Sequence, residues 1–143
     1  MPEKTNSALV RRVYEEILNE GNLGLADEII AVDAVDHAPD HLSSLPTAGP
    51  EDLQKFVHGF CSAFPDAQWE IEEMIAVDDT VLVRTTVTGT HLDTFLGIPP
   101  TGDEMIMTGI DIVRIAQGKI VEHWGTLPPL ATGIAPGSSQ GTA

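Results

Sequence analysis

From Trp69 to Trp124 the chain runs as four consecutive segments built for a pleated sheet: "WEIEEMIAVDD", "TVLVRTTVTGTHL", "EMIMTGIDIVRIA" and "KIVEHWG". Each is rich in β-branched side chains and ends at residues that favour a reversal of direction. Asp78-Asp79 joins the first pair and Gln117-Gly118 the last, while glycines at 97, 102 and 109 shape turns around "GIPPTG". Strands joined this closely predict an antiparallel sheet. The residues before Trp69 follow a different period. "SALVRRVYEEILNE" (7–20) spaces Leu9, Val10, Val13, Tyr14, Ile17 and Leu18 for one face of a helix, with Asn6 or Ser7 as its cap and Gly21 as its stop. "GLADEIIA" fits a second, shorter helix, and "AVDHAP" reads as a brief extended segment ending at proline. "GPEDLQKFVHGFCSAFP" predicts a third helix, with Pro50 and acidic residues in its first turn and a buried stripe of Leu53, Phe56, Val57, Phe60, Cys61 and Phe64. Helices first and an antiparallel sheet second is an α+β order.

A chain of 143 residues suffices for one domain with a substantial core. Its 22 acidic and 7 basic residues leave a net charge of −15, which repels phosphate backbones and argues against nucleic-acid binding. No apolar run approaches the roughly 20 residues of a membrane span, and "MPEKTNSALVRR" lacks the order of a signal peptide. The lone Cys61 has no internal disulfide partner, so the cytoplasm is the expected compartment. Cys61 also lies on an apolar helix stripe without a basic neighbour, which suits a core residue better than a nucleophile. "DHAPDH" gathers Asp36, His37, Asp40 and His41, but no zinc-type spacing accompanies it, so no metal is expected. No phosphate-binding glycine loop or serine elbow occurs. "LPPLATGIAPGSSQGTA" (127–143) has no charged side chain and reads as a tail beyond a single domain over residues 1–126.

Two pieces, "GTHLDTFLGIPPTG" (89–102) and "GIDIVRIAQGKIVEHW" (109–124), together resemble the SnoaL-like polyketide cyclases. "GPEDLQKFVHGFCSAFPD" (49–66) is similar to the helix that precedes the sheet in that family, and the resemblance spans about residues 8–126. It implies the cone-shaped fold of nuclear transport factor 2 and ketosteroid isomerase: helices packed into a curved antiparallel sheet around an internal apolar pocket, in a homodimer. It also implies intramolecular aldol ring closure without metal or cofactor. The anthracycline cyclases use a histidine on the penultimate strand and an aspartate on the last one. Here Asp111 stands in the histidine's place, Gly125 in the aspartate's, and His37 where those enzymes carry an asparagine. Some relatives are assigned as hydroxylases.

Asp111 is the unusual residue in its strand, with Ile110 and Ile112 on either side. A two-residue Gln117-Gly118 loop needs positive φ at Gln117, so a three-residue loop, Ala116-Gln117-Gly118, is the expected turn. That register sets Ile115 opposite Lys119, Val113 opposite Val121 and Asp111 opposite His123. Asp111, Val113, Val121, His123 and Gly125 then share a face, as the family's paired site requires. A carboxylate facing an imidazole in an apolar cup can hold a proton between them and remove one α to a carbonyl. The same pair would also serve as a satisfied polar contact on a solvated sheet.

Around Asp111 and His123 as catalytic residues, His37 is placed at the pocket mouth. His91, at a strand end, either contacts substrate or pins the "LDTFLGIPP" loop. Tyr14, Phe56, Phe60 and Met107 line the pocket or simply fill the core, and His58 falls on a polar helix face. The expected function is cofactor-free acid/base cyclisation or isomerisation of a small, apolar, carbonyl-rich, polyketide-like substrate through an enolate. Hydroxylation of aromatic polyketides, or ligand binding without catalysis, are the alternatives.

Overall fold

The computed structural model describes residues 2–37, 45–95 and 97–125. The expectations for the 127–143 tail and for Asp40 and His41 fall outside them.

The first helix, α1 (Pro2–Arg12), begins earlier than the apolar spacing predicts. Its first turn is held by the far end of the sheet: the Asp78 N–H donates to Glu3 at 3.1 Å and the Asn6 amide donates to the Asp78 carbonyl at 3.5 Å. Beyond Arg12 the helix widens into a π-helical turn, Val13–Leu18, which buries Val13, Tyr14, Ile17 and Leu18 together. The Asn19 N–H reaches back five residues to the Tyr14 carbonyl at 3.0 Å. In place of one second helix there is a 3-10 turn (Leu23–Leu25) followed by α2 (Ala26–Ile29), and Ile30 is already extended. The third helix, α3 (Pro50–Ala63), forms as expected, entered through Gly49 at φ 98°. The Ala48 N–H donates to Asp52 at 3.0 Å, supporting its first turn.

Five strands form one sheet in the order β1-β5-β4-β3-β2. They are β1 (Ile30–Asp36), β2 (Gln68–Val77), β3 (Thr80–Thr90), β4 (Glu104–Ala116) and β5 (Lys119–Trp124). The last four make an antiparallel meander, with tight turns joining β2 to β3 and β4 to β5 and a longer loop joining β3 to β4. The sheet as a whole is mixed, which corrects the all-antiparallel expectation. The segment read as merely extended is β1, and it pairs parallel with β5. It covers the edge that the meander would otherwise leave with unpaired backbone groups.

One face of the sheet is packed. Val81, Val83, Thr85 and Val87 of β3 and Met105, Met107, Asp111, Val113 and Ile115 of β4 are buried at alternate positions, joined by Tyr14, Ile17, Leu53, Phe60 and Phe64. Gly89 lets α3 close down on β3, since a Cβ there would lie 3.1 Å from the Phe64 Cβ. The opposite face exposes Ile75, Val77, Ile106, Ile110 and Trp124. Among the described residues no helix is long and apolar enough to cross a membrane.

Candidate active site

Alternation along β4 turns Asp111 inward between buried Met107 and Val113, and the residue is only 2% exposed. His123 reaches the same face by a route different from the expected one. The β4–β5 turn has two residues, Gln117 at φ 52° and Gly118 at φ 75°, with Ala116 opposite Lys119. An unbroken ladder from that turn would set His123 opposite Ile112 and aim it outward. The register instead slips between Arg114 and Ile115: Ile115 pairs with Ile120 and Arg114 with Glu122, leaving Val121 as the extra residue. Beyond this bulge His123 lies opposite Val113 and points inward. The expected three-residue loop is therefore corrected to a two-residue turn plus a bulge. Each inserts one residue, so each gives His123 the same face.

The inward side chains form one buried chain. The Tyr14 hydroxyl donates to Asp111 Oδ2 at 2.8 Å, and Asp111 Oδ1 lies 2.7 Å from His123 Nε2. On the ring's other side Nδ1 is 3.0 Å from Asp36 Oδ1, and Asp36 Oδ2 accepts the Thr47 N–H at 3.1 Å. Tyr14 is 1% and His123 0% exposed. Burial opposes charge on the His123 ring, but its hydrogen bonds to Asp111 and Asp36 and their negative charge outweigh that penalty and lift its pKa from 6.5 to about 9. The Tyr14 hydroxyl is pushed well above its ordinary value by burial, with the Asp111 charge and the hydrogen bond to Asp111 adding to the effect. Both shifts favour a neutral phenol and a charged imidazole on either side of Asp111.

Asp111 and Tyr14 border a hollow with about 370 Å³ of free space, its open mouth included. Phe56, Phe60, Trp69, Val87 and Met107 supply its apolar wall, and Thr85, Thr108 and Gly109 complete it. Phe60 packs on Phe56 and Trp69 at ring distances of 5.3 and 5.1 Å. The Asn19 amide ties the π-helical turn to β2, donating to the Trp69 carbonyl at 2.9 Å and accepting its N–H at 2.7 Å. Two members of the wall, Tyr14 and Trp69, are thereby held relative to each other.

Of the residues singled out in the sequence, Asp111, Tyr14, Phe56, Phe60 and Met107 meet around the hollow, and His123 stands behind Asp111. His37 does not line this hollow. Asp36 pairs with His123 on the inner side, so the next residue turns outward. There His37 stacks on Trp124 with ring centroids 4.8 Å apart and binds Glu122 at 2.7 Å. Arg114 donates to the other Glu122 oxygen, also at 2.7 Å, and the hydrogen bonds from Arg114 and His37 hold the Glu122 carboxyl below its usual range.

His91 is absent from the hollow's lining. It is buried against Phe64, and its backbone accepts the Gly102 N–H at 2.8 Å and donates to Asp103 at 3.0 Å, clasping the loop between β3 and β4. Burial pushes the Cys61 thiol up, away from nucleophile chemistry, and His58 is exposed on α3. Among the described residues no group of three or more His, Cys, Asp or Glu side chains is arranged to hold a metal ion. Sequence reasoning passed over Asp36, Trp69 and Thr85. Asp36 stood beside the histidine chosen in its stead, and a strand assignment for 30–36 would have set the two on opposite faces.

The model of the SnoaL-like polyketide cyclase family matches residues 8–132. AclR of Streptomyces galilaeus, described as a candidate hydroxylase, is 31% identical, with 94% of this chain and 99% of AclR covered at a TM-score of 0.75. IdmH of Streptomyces antibioticus, described as a candidate polyketide cyclase, is 30% identical, with 87% and 93% covered at a TM-score of 0.73. TsrD of Streptomyces laurentii shares the fold at a TM-score of 0.78 and 21% identity, with 92% and 93% covered. No curated protein shows significant similarity to the sequence. A family model spanning most of the chain, and relatives matched along nearly their full length, place this protein in the SnoaL-like polyketide cyclase family.

Proposed function

We propose that the protein is an acid/base enzyme acting on a small, apolar, carbonyl-rich substrate of polyketide type, closing a ring or shifting a double bond through an enolate. The observation that carries this reading is Asp111, a buried carboxylate bordering an apolar hollow and held between the Tyr14 hydroxyl and the His123 ring. Asp111 removes a proton α to a carbonyl, and the C–H electrons pass to the carbonyl oxygen as an enolate. In ring closure the enolate carbon attacks a second carbonyl of the same molecule, and the resulting alkoxide takes up the proton. In isomerisation the proton returns at a different carbon. Acid/base help of this kind accelerates a reaction by about 100- to 10,000-fold. The helices and sheet act as the cone around this site, and the chemistry needs no cofactor.

The test follows the mass of the product. Incubated with a linear polyketide ester, the purified protein should yield a product of unchanged mass, or one lighter by a water. Asp111→Asn should slow its formation by at least about 100-fold. Binding without any product, by wild type and variant alike, would leave only a ligand-binding module.

A second reading, hydroxylation of an aromatic polyketide, is favoured by Gly125, which occupies the position of the cyclase aspartate, and by the likeness to AclR. It requires dioxygen and a two-electron reductant as co-reactants, the second oxygen leaving as water, and gives a product heavier by one oxygen atom. We further propose a cytoplasmic homodimer, supported by the apolar side chains on the exposed sheet face. Sedimentation should then give about twice the 15.3 kDa of one chain.

A further inference from the structure

The proposed chemistry uses Asp111 and Tyr14 directly but assigns nothing to the carboxylate at the other end of the buried chain. Asp36 ends β1 with its side chain 8% exposed, and it borders His123 rather than the hollow. Counting protons shows what it does there. A neutral imidazole donates from one nitrogen and accepts at the other. His123, however, faces a carboxyl oxygen at each nitrogen, 3.0 Å from Nδ1 and 2.7 Å from Nε2. With a neutral ring and two carboxylates, one of these contacts would set lone pair against lone pair inside a buried site. The three groups therefore hold two protons and a net charge of −1. One arrangement is an imidazolium between two carboxylates; the other is a neutral ring beside one carboxylic acid. Asp36 Oδ2 already accepts the Thr47 N–H and Asp111 Oδ2 the Tyr14 hydroxyl, so an imidazolium donating to the remaining oxygen of each satisfies every contact, and the geometry points to the first.

We infer that Asp36 is a positioning residue: it keeps His123 doubly protonated with its Nε2–H aimed at Asp111, so that Asp111 meets the substrate ionised and in a fixed orientation. His123 then retains both of its protons through turnover, and the travelling proton is handled by Asp111 beside Tyr14. This rests on the acid/base reading of the hollow, and it separates two roles that a simple aspartate–histidine dyad would merge. Among the described residues the groups facing the ring are Asp36 from β1 and Asp111 from β4, with Tyr14 of the π-helical turn against Asp111.

The experiment is an NMR titration of the His123 ring in the full chain between about pH 6 and 10, needing no substrate. In the wild type both ring nitrogens should remain protonated at pH 7. In Asp36→Asn the midpoint should fall by at least about one unit, a tenfold loss of proton affinity, and Asp36→Glu should recover most of it. In the kinetics, Asp36→Asn should lower kcat with little change in KM, as expected for a residue outside the hollow. A wild-type His123 found neutral at pH 7, or an Asp36→Asn midpoint equal to that of the wild type, overturns the assignment. The wild-type titration decides even if the asparagine variant fails to fold. The ring titrations do not depend on turnover, so they can fail while Asp111 remains the base. Conversely, an unimpaired Asp111→Asn enzyme would remove the acid/base reading and leave the wild-type titration of the ring as it stands.

Discussion

Raising the pH from about 7 to about 9.5 should weaken the folded protein through His123 by about 2 kcal/mol. The ring titrates at its ordinary 6.5 when exposed in the unfolded chain and at about 9 in the fold. The folded state binds this proton more tightly, so its stabilisation is complete below about pH 6.5 and disappears as the pH climbs through about 9. A separation of roughly 2.5 units at about 1.4 kcal/mol each gives a ceiling of about 3 kcal/mol. Most of this should be present at pH 7 and little of it at pH 9.5. The assay is urea unfolding at intervals across that range, on the wild type and on His123→Gln. Other groups titrate there too, but they do so in both proteins, and the difference between the two curves isolates the ring. The variant should be less stable at pH 7, where two buried carboxylates lose their cation, and the gap should narrow as the pH rises. Two curves that stay parallel would refute the charged imidazole, and with it the electrostatic account of the site.

Tyr14→Phe keeps the aromatic wall and removes the hydroxyl that donates to Asp111. A hydrogen bond to a charged group is worth about 1.5–3 kcal/mol, so turnover should drop by about 10- to 100-fold, and steady-state kinetics at wild-type rate would contradict the placement. Gly89→Val forces a side chain against Phe64 and should cost about 1–3 kcal/mol in thermal unfolding, whereas an unchanged Tm would contradict the close approach of α3 to β3. Gln117→Asn puts a residue that tolerates φ 52° into the β4–β5 turn and should stabilise by about 0.5–1 kcal/mol. A lower urea midpoint would count against the two-residue turn.

Local pattern made some of this molecule legible and left other parts hidden. The expected alternation placed Asp111, Val113 and His123 on one face, and the structure buries all three. Helical spacing and the Pro50 start located α3. What escaped were features decided by distant partners. Residues 2–6 look like a frayed terminus until the Asp78 turn docks against them. "AVDAVD" carries no sign that β5 will pair with it in parallel, because that pairing answers the open edge of a strand about ninety residues later. Without β1 in the sheet there was no way to see that Asp36, and not His37, turns inward. The β4–β5 hairpin shows how a correct face can follow from an incorrect register. A residue added in the turn or at Val121 rotates His123 by the same half period, and only coordinates distinguish the two.

Solvent exchange at carbon tests most directly whether Asp111 moves a substrate proton. A β-dicarbonyl probe that fits the hollow is dissolved in D2O, and the rate at which its α-hydrogen is replaced by deuterium is followed with wild-type protein and with Asp111→Asn. The wild type should accelerate the exchange, and the asparagine variant, folded to the same Tm within a few degrees, should be slower by at least about 100-fold. Equal rates for the two proteins would contradict the account.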